Sequence, residues 1–261
     1  MKNKSGGTLH RVAAALGIFF LVTHAAYAEL SVATGIDYSS GDYGTSEETR
    51  ITYVPLTLKY ETERAVFRLT VPYLRIDGPS GGQIIGIGPG GQPIRTPTGA
   101  RATNQGLGDV IAAVGYNLLD ASGTLLDVVG KVKLGTADET KGLGTGENDY
   151  SLQLDWSQQF GRFTLVATIG YRIYGDPPGV NFDNALFASA GGILKYGSDM
   201  SFGLIYDFRQ SIVADTDSQR DITAFISYKL NARRKIQGYV TTGLSNASPD
   251  WGVGAIATIA F

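Results

Sequence analysis

The sequence predicts an all-β fold, a twelve-stranded antiparallel transmembrane β-barrel with periplasmic termini, and three observations carry this prediction. Residues 251–261 place apolar side chains on one face and small or polar side chains on the other, and the segment closes on the aromatic Phe261. Segments with the same alternation recur along the chain, each near the roughly 10 residues that a tilted strand needs to cross a bilayer. No run of about 20 apolar residues, as a membrane helix needs, interrupts them.

The first 28 residues have the order of a secretory signal peptide. Basic residues precede the short apolar run 12–22, and Ala26-Tyr27-Ala28 supplies the small residues that a signal peptidase reads. We expect cleavage after Ala28 and export through the Sec pathway, which leaves residues 29–261 as a single barrel domain. The alternative is an uncleaved anchor, which the shortness of the apolar run disfavours.

The residue types that are missing narrow the function. The chain has no Cys, and both of its histidines, His10 and His24, lie in the predicted leader. A disulfide framework and a thiolate metal site are therefore excluded. The outer-membrane enzyme families that we considered use a His, which supplies a base near neutral pH. We therefore predict a protein that is not an enzyme, with no catalytic residue, no metal and no cofactor.

The connections between the alternating segments differ in length. Short turns are predicted near residues 62–63, 120–123, 160–161, 197–199 and 231–233, and longer loops at 40–49, 76–108, 135–148, 174–184, 211–220 and 245–250. Short periplasmic turns, long extracellular loops and an even strand count place both termini in the periplasm. The twelve predicted strands are 30–39, 50–61, 65–75, 109–119, 124–134, 149–158, 162–173, 185–196, 200–210, 221–230, 235–244 and 251–261.

The polar face of these strands is predicted to line the barrel interior, or lumen. Its bases exceed its acids by four, which predicts a polar path with a mild preference for anions. The equally weighted alternative is that these groups pair across the lumen and close it. The predicted lining residues are Asp37, Lys59, Arg68, Asp127, Lys131, Lys133, Asp155, Arg172, Lys195, Asp207, Arg209 and Lys229.

Aromatic residues lie near both ends of the apolar face, as in the two girdles of a membrane barrel. Phe261 is assigned to the periplasmic girdle and to assembly, and the last strand is expected to pair with the first, near residues 30–39.

Two prolines, Pro55 and Pro72, are predicted to fall opposite or nearly opposite each other in the second and third strands. Each lacks a ladder N–H, and proline is normally excluded from central strands. One interpretation is a lateral weak point through which an apolar solute passes into the bilayer. The favoured interpretation is a harmless bulge.

Two loop features each allow more than one interpretation. The loop 76–108 is longer than a connection requires, and a constriction of the mouth and a disordered surface are equally favoured for it. Its G-x-G-x-x-G spacing at Gly86, Gly88 and Gly91 is dismissed as a dinucleotide site, because no helix comes after it. The acidic loop residues could hold divalent cations that bridge lipopolysaccharide, but a solvated surface is favoured: Glu47, Glu48, Asp138, Glu139, Glu147, Asp149, Asp215 and Asp217.

Four short motifs stand out in the middle of the chain: Gly106-Leu-Gly-Asp109, Lys131-Val-Lys-Leu-Gly-Thr136, Gly142-Leu-Gly-Thr-Gly146 and Asp149-Tyr150. They resemble a family of outer-membrane barrels linked to the meta pathway of phenol degradation. One departure is Gly135-Thr136-Ala137, where the family pattern has a turn like Pro-Thr-Gly. The resemblance implies a twelve-stranded barrel that passes small, rather hydrophobic molecules.

Together these features predict a channel in the bacterial outer membrane for passive passage of small, aromatic or hydrophobic molecules. The alternative is a closed structural or adhesive barrel without transport. The expected partners are outer-membrane lipid and lipopolysaccharide, the barrel-assembly machinery and a small solute. Nucleic acid is not expected to bind, and the barrel is expected to be a monomer.

Overall fold

The computed structural model describes residues 29–79, 83–85, 92–94 and 100–261. The predicted leader and the G-x-G-x-x-G spacing fall outside these residues. Within them, no helix is long and apolar enough to cross a membrane.

Fifteen strands and one short 3-10 turn, Glu139–Lys141, make up the described fold. The strands are β1 (Glu29–Gly41), β2 (Thr49–Glu61), β3 (Ala65–Pro79), β4 (Gln83–Ile85), β5 (Gln92–Ile94), β6 (Arg101–Leu107), β7 (Val110–Ala121), β8 (Thr124–Leu134), β9 (Asp149–Phe160), β10 (Phe163–Ile173), β11 (Ala185–Tyr196), β12 (Met200–Arg209), β13 (Gln219–Lys229), β14 (Arg234–Gly243) and β15 (Trp251–Ala260).

The main sheet is a closed antiparallel barrel of twelve strands, as the sequence predicts. Its last strand, β15, pairs with β1 in a register that sets Ser31 against Ala260 and Ser40 against Trp251. β6 and β7 both pair with β3 and together form the fourth barrel strand. Closure gives the backbone groups of every barrel strand a neighbouring strand, which a lipid environment requires.

The fourth strand and its loop differ from the prediction. β3 continues to Pro79, and its partner β6 begins at Arg101, so the connection expected over 76–108 is shorter. The hairpin extends the wall with exposed polar residues, and Arg101 pairs with Asp77 at 3.0 Å. Because this extension carries charge on its outer face, its sequence has the pattern of a loop. The connection itself contains the small β4–β5 ribbon.

Burial separates the two faces of the wall. In β9 the outward Leu152 is 61% exposed, whereas Gln153 and Asp155, which point inward, are 3% and 2% exposed. An apolar face open to the outside with a buried polar face reverses the usual order of a soluble protein and fits a wall solvated by lipid.

Short turns join the strands at one end of the barrel. Between β7 and β8 only Ser122 and Gly123 remain, with φ values of 53° and 80°. Positive φ at both positions is typical of the two-residue turns that match the twist of a hairpin. The longer connections lie at the opposite end, which we call the mouth.

Candidate functional site

All twelve residues predicted to line the lumen lie on the inward face of their strands, as the alternation of burial shows. The structure adds further inward charges that the sequence analysis missed, mostly at strand ends where the alternation gives the weakest signal. These are the acids Glu29, Glu61, Asp109, Asp149 and Asp221 and the base Lys235.

The additional charges remove the expected surplus of four bases. With five acids and one base added to the predicted four acids and eight bases, these residues comprise nine acids and nine bases. Any preference of the lumen for anions therefore depends on where the charges lie, not on their sum.

Four of the nine inward bases lie along one line of strand partners, which we call the basic row. Lys59 pairs in register with Arg68, Arg68 with Ala113, Ala113 with Lys131, Lys131 with Ser151, and Ser151 with Arg172. Strands tilt in a barrel, so such a row climbs the wall instead of circling it at one height. It starts beside the β2–β3 turn and ends at the mouth.

Three inward acids outside the basic row, Asp37, Asp207 and Asp221, are called the acidic group. Asp207 and Asp221 are directly opposed partners on β12 and β13. Asp37 on β1 accepts a hydrogen bond of 2.8 Å from the Tyr239 hydroxyl. Acids and bases are nevertheless mixed around the lumen, because Lys195, Arg209, Lys229 and Lys235 lie on β11 to β14, the strands that also carry Asp207 and Asp221.

An apolar stretch of wall lies between these groups. Val166, Ile193, Ile205, Phe225 and Tyr239 are buried, pack together and point inward from five strands. Where an aromatic residue of this wall is the register partner of a glycine on the neighbouring strand, its ring covers that glycine. A Cβ at Gly203 would collide with the Phe225 ring, and one at Gly254 with the Tyr239 ring. The lumen therefore offers both apolar and charged surface.

Lys133 is the centre of a buried ion-pair network at the mouth. Its ammonium group lies 3.1 Å from Asp109 and 3.2 Å from Asp149, and it donates to the Thr145 hydroxyl at 3.1 Å. Asp109 also accepts from the Ala137 amide at 2.9 Å. The motif residues that resemble the phenol-degradation family thus form one structural network.

Residues 135–148 fold into the mouth. Leu143 is 2% exposed and packs with Tyr43, Ile51, Tyr53 and Leu74, of which the last three are inward strand residues. This segment, which the sequence predicts only as a connection, therefore narrows the entrance. Residues 80–82, 86–91 and 95–99 of the segment 76–108, for which a constriction was considered, lie outside those described.

A second apolar cluster, Tyr174, Phe182, Ala185 and Ile212, closes another part of the mouth. The Tyr174 hydroxyl accepts hydrogen bonds from Arg172 at 3.3 Å and from Arg209 at 3.2 Å. Burial is the largest effect on the pKa of Tyr174 and raises it, but the charges of both guanidinium groups outweigh burial, so the pKa is lowered overall.

Pro55 and Pro72 are direct partners across β2 and β3. The ladder between β2 and β3 is continuous. The ladders that join β2 to β1 and β3 to the fourth strand are each interrupted. Gly35 and Ile36 have no register partners on β2. Val71 and Pro72 have none on the fourth strand, where the pairing with β3 stops at Leu107 and resumes, shifted by one residue, at Ile111. Gly108 donates its N–H to the Pro72 carbonyl at 2.9 Å.

The acidic residues predicted for the loops do not converge. Asp149 is 1% exposed and pairs with Lys133, so its assignment to a solvated loop surface is wrong. Glu48 pairs with Arg50, and Asp138 with Lys141. Within the described part of the chain no three acidic residues come close enough to hold a metal ion.

The apolar face carries exposed aromatic residues toward both ends, among them Tyr73 and Trp251 near the mouth and Trp156 and Tyr196 near the turns. Phe261 is 69% exposed, and its N–H bonds to the Leu30 carbonyl at 2.9 Å.

A family model described as "Putative MetA-pathway of phenol degradation" matches residues 37–261. No curated protein matches the sequence.

Solved structures share the fold at low sequence identity. The COG4313 outer membrane channel from Pseudomonas putida F1 superposes with a TM-score of 0.71 at 13% identity, over 90% of this chain and 96% of that chain. The KdgM porin gives 0.57 at 8% identity, over 88% and 99% of the two chains. The NanC porin gives 0.53 at 10% identity, over 88% and 98%.

Proposed function

Because this chain belongs to the family of the MetA-pathway of phenol degradation, we propose that it is an outer-membrane channel for the passive passage of small aromatic or hydrophobic molecules. The observation that carries the proposal is the lumen itself. It combines an apolar wall with acidic and basic groups inside a barrel whose outer face is apolar. The description of one structural neighbour as an outer membrane channel agrees with this proposal.

A lumen with both apolar and charged surface suits a solute with an apolar body and a polar substituent. The ring-bearing wall around Phe225 and Tyr239 provides surface for the body, and the basic row and the acidic group provide hydrogen-bonding partners. Pores commonly select solutes by the polar groups and the diameter of their narrowest part.

Single-channel recording in planar bilayers tests conduction, and liposome swelling with small aromatic acids against sugars tests the solute class. We expect resolved conductance and faster swelling with the aromatic solutes. A silent bilayer would contradict the channel, and equal swelling with aromatic acids and sugars would contradict the solute class.

The cellular setting belongs to the same proposal. Residues 1–28 act as a cleaved signal peptide for the Sec pathway, the barrel-assembly machinery inserts the strands with both termini in the periplasm, and Phe261 serves assembly and the girdle. The barrel works as a monomer in contact with outer-membrane lipid and lipopolysaccharide. Mass spectrometry of the purified protein checks the cleavage, because the mature chain should begin at Glu29.

A closed structural or adhesive barrel is the second candidate. It is favoured by the burial of the inward charges, since Asp127 and Lys133 are each 1% exposed and leave little open space around them. The same bilayer recording separates the two candidates.

Catalysis is not part of the proposal. Residues 29–261 contain neither His nor Cys, and a lone carboxylate is a poor activator of serine. Lipase, protease and deacylase assays on the folded barrel are expected to show no turnover.

A lateral exit near Pro55 and Pro72 is a further part of the proposal. It is supported by the two ladder interruptions that flank the β2–β3 hairpin, because missing wall hydrogen bonds lower the cost of separating strands there. An apolar solute would leave the lumen for the bilayer at this place.

A further inference from the structure

We infer that Lys131, Ser151 and Arg172 form a binding site for the carboxylate of a small aromatic acid in the lumen, on the side of the mouth. This inference rests on the proposed channel function, because it names the solute class that the same lumen would take. It stands on the register of three strands and on polar atoms that have no partner.

The three side chains lie side by side. Lys131 on β8 and Arg172 on β10 are both register partners of Ser151 on β9. Neighbouring strands are about 4.8 Å apart, so the two cationic side chains flank the serine and can reach an anion placed over it. Among the described strands, no acidic residue is a register partner of any of the three.

Polar atoms of this group are buried without a hydrogen-bond partner. Ser151 and Arg172 are each 8% exposed, and neither the Ser151 Oγ nor the Arg172 Nε has a partner among the described residues. A buried donor without an acceptor costs about 1–3 kcal/mol. An anion that accepts from both would remove this cost through charge-assisted hydrogen bonds.

The nearest carboxylates attract the two cations but have other partners. Asp149 attracts Arg172, but it is paired with Lys133 at 3.2 Å and accepts from the Gly175 amide at 3.2 Å. Asp155 attracts Lys131, but its Oδ1 accepts hydrogen bonds of 2.6 Å from both Gln153 and Thr168. Among the hydrogen bonds described for it, the Arg172 guanidinium donates only to the Tyr174 hydroxyl.

Aromatic rings flank the place where the body of a bound acid would lie. The guanidinium carbon of Arg172 lies 5.3 Å from the centre of the Phe187 ring and 5.6 Å from that of Tyr174. Phe187 covers Gly170, where a Cβ would collide with the ring. A ligand with its carboxylate on Arg172 would therefore place its body against aromatic surface, which favours an aromatic acid over a simple anion.

The test measures binding of benzoate to the folded barrel in detergent, by calorimetric titration, with acetate and benzyl alcohol as comparison ligands. Lys131→Gln and Arg172→Gln remove one cation each, and Ser151→Ala removes the hydroxyl. Lys195→Gln is the matched control, because Lys195 is an inward cation on β11 outside the site. Faster gel migration of the unheated sample verifies folding of each variant.

We expect benzoate to bind more tightly than either comparison ligand, and each charge-removing variant to weaken it about tenfold or more, as loss of a charge-assisted contact does. Ser151→Ala should weaken it less, and Lys195→Gln should leave it unchanged. Equal benzoate affinity in the parent, Lys131→Gln and Arg172→Gln would overturn the inference. An equal loss in Lys195→Gln would also overturn it, because the effect would then belong to the whole lumen.

Binding in detergent does not need conduction, so the two proposals fail separately. A barrel that binds benzoate through Lys131 and Arg172 but conducts nothing supports the site and contradicts the channel. A conducting barrel whose benzoate affinity is the same with and without these two side chains supports the channel and contradicts the site.

Discussion

Pro55 and Pro72 face each other across β2 and β3, and the ladder between their strands is nevertheless unbroken. Each proline instead leaves a gap on the outer side of the hairpin, toward β1 in one case and toward the fourth strand in the other. A proline pair can therefore sit in a closed barrel, because its missing donors both point away from the shared ladder.

Replacing Pro55 with Val and Pro72 with Thr should strengthen the wall, because each restores an N–H that can complete the ladder and contribute about 0.5–1.5 kcal/mol. If an apolar solute leaves through this part of the wall, uptake of naphthalene by cells that make the variant should fall. Pro178→Ala, in an exposed loop, is the control. Unchanged uptake in a variant with raised stability would argue against a lateral exit.

Lys133→Met should strongly destabilise the barrel. It leaves Asp109 and Asp149 buried without their cation, and the loss of one partner from a buried ion pair costs about 3–5 kcal/mol. Lys141→Met breaks an exposed pair with Asp138 that solvent screens, so it should cost far less than Lys133→Met. Urea unfolding in lipid vesicles measures both, and similar losses in the two variants would be inconsistent with the network.

Leu143→Ser should widen the mouth, because it removes the apolar side chain that holds residues 135–148 against Tyr53 and Leu74. We expect larger single-channel conductance with more frequent fluctuations. Leu244→Ser, at a leucine that is 50% exposed, should leave the conductance as it is. If both variants conduct like the parent protein, the segment does not limit the entrance.

Gly254→Ala should destabilise the lumen, because the added methyl group meets the Tyr239 ring and displaces the hydroxyl that donates to Asp37. Overpacking of this kind costs about 1–3 kcal/mol. Gly130→Ala is a matched control, since a Cβ there meets nothing within 4 Å. Thermal unfolding of the two variants should differ, and equal midpoints would show that the ring moves aside freely.

Local alternation is enough to predict much of the wall. The side-chain period of two is a property of each strand alone, so the faces of Leu152, Gln153 and Asp155 can be assigned without knowing their neighbours. Counting such segments predicts twelve strands and the pairing of β15 with β1. The extension of β3 and β6 at the mouth is not predicted, because its outer face is polar. A polar alternating segment is hard to distinguish from a loop.

What only the tertiary structure decided depends on residues that are distant in the sequence. The contacts of Lys133 with Asp109 and Asp149 span strands and loops, and the basic row exists because separate registers align Lys131, Ser151 and Arg172. Closure sets those registers all round the barrel. The sequence therefore determined which side chains point into the lumen along the middle of the strands. The fold determined the inward residues at the strand ends and which of the inward side chains meet.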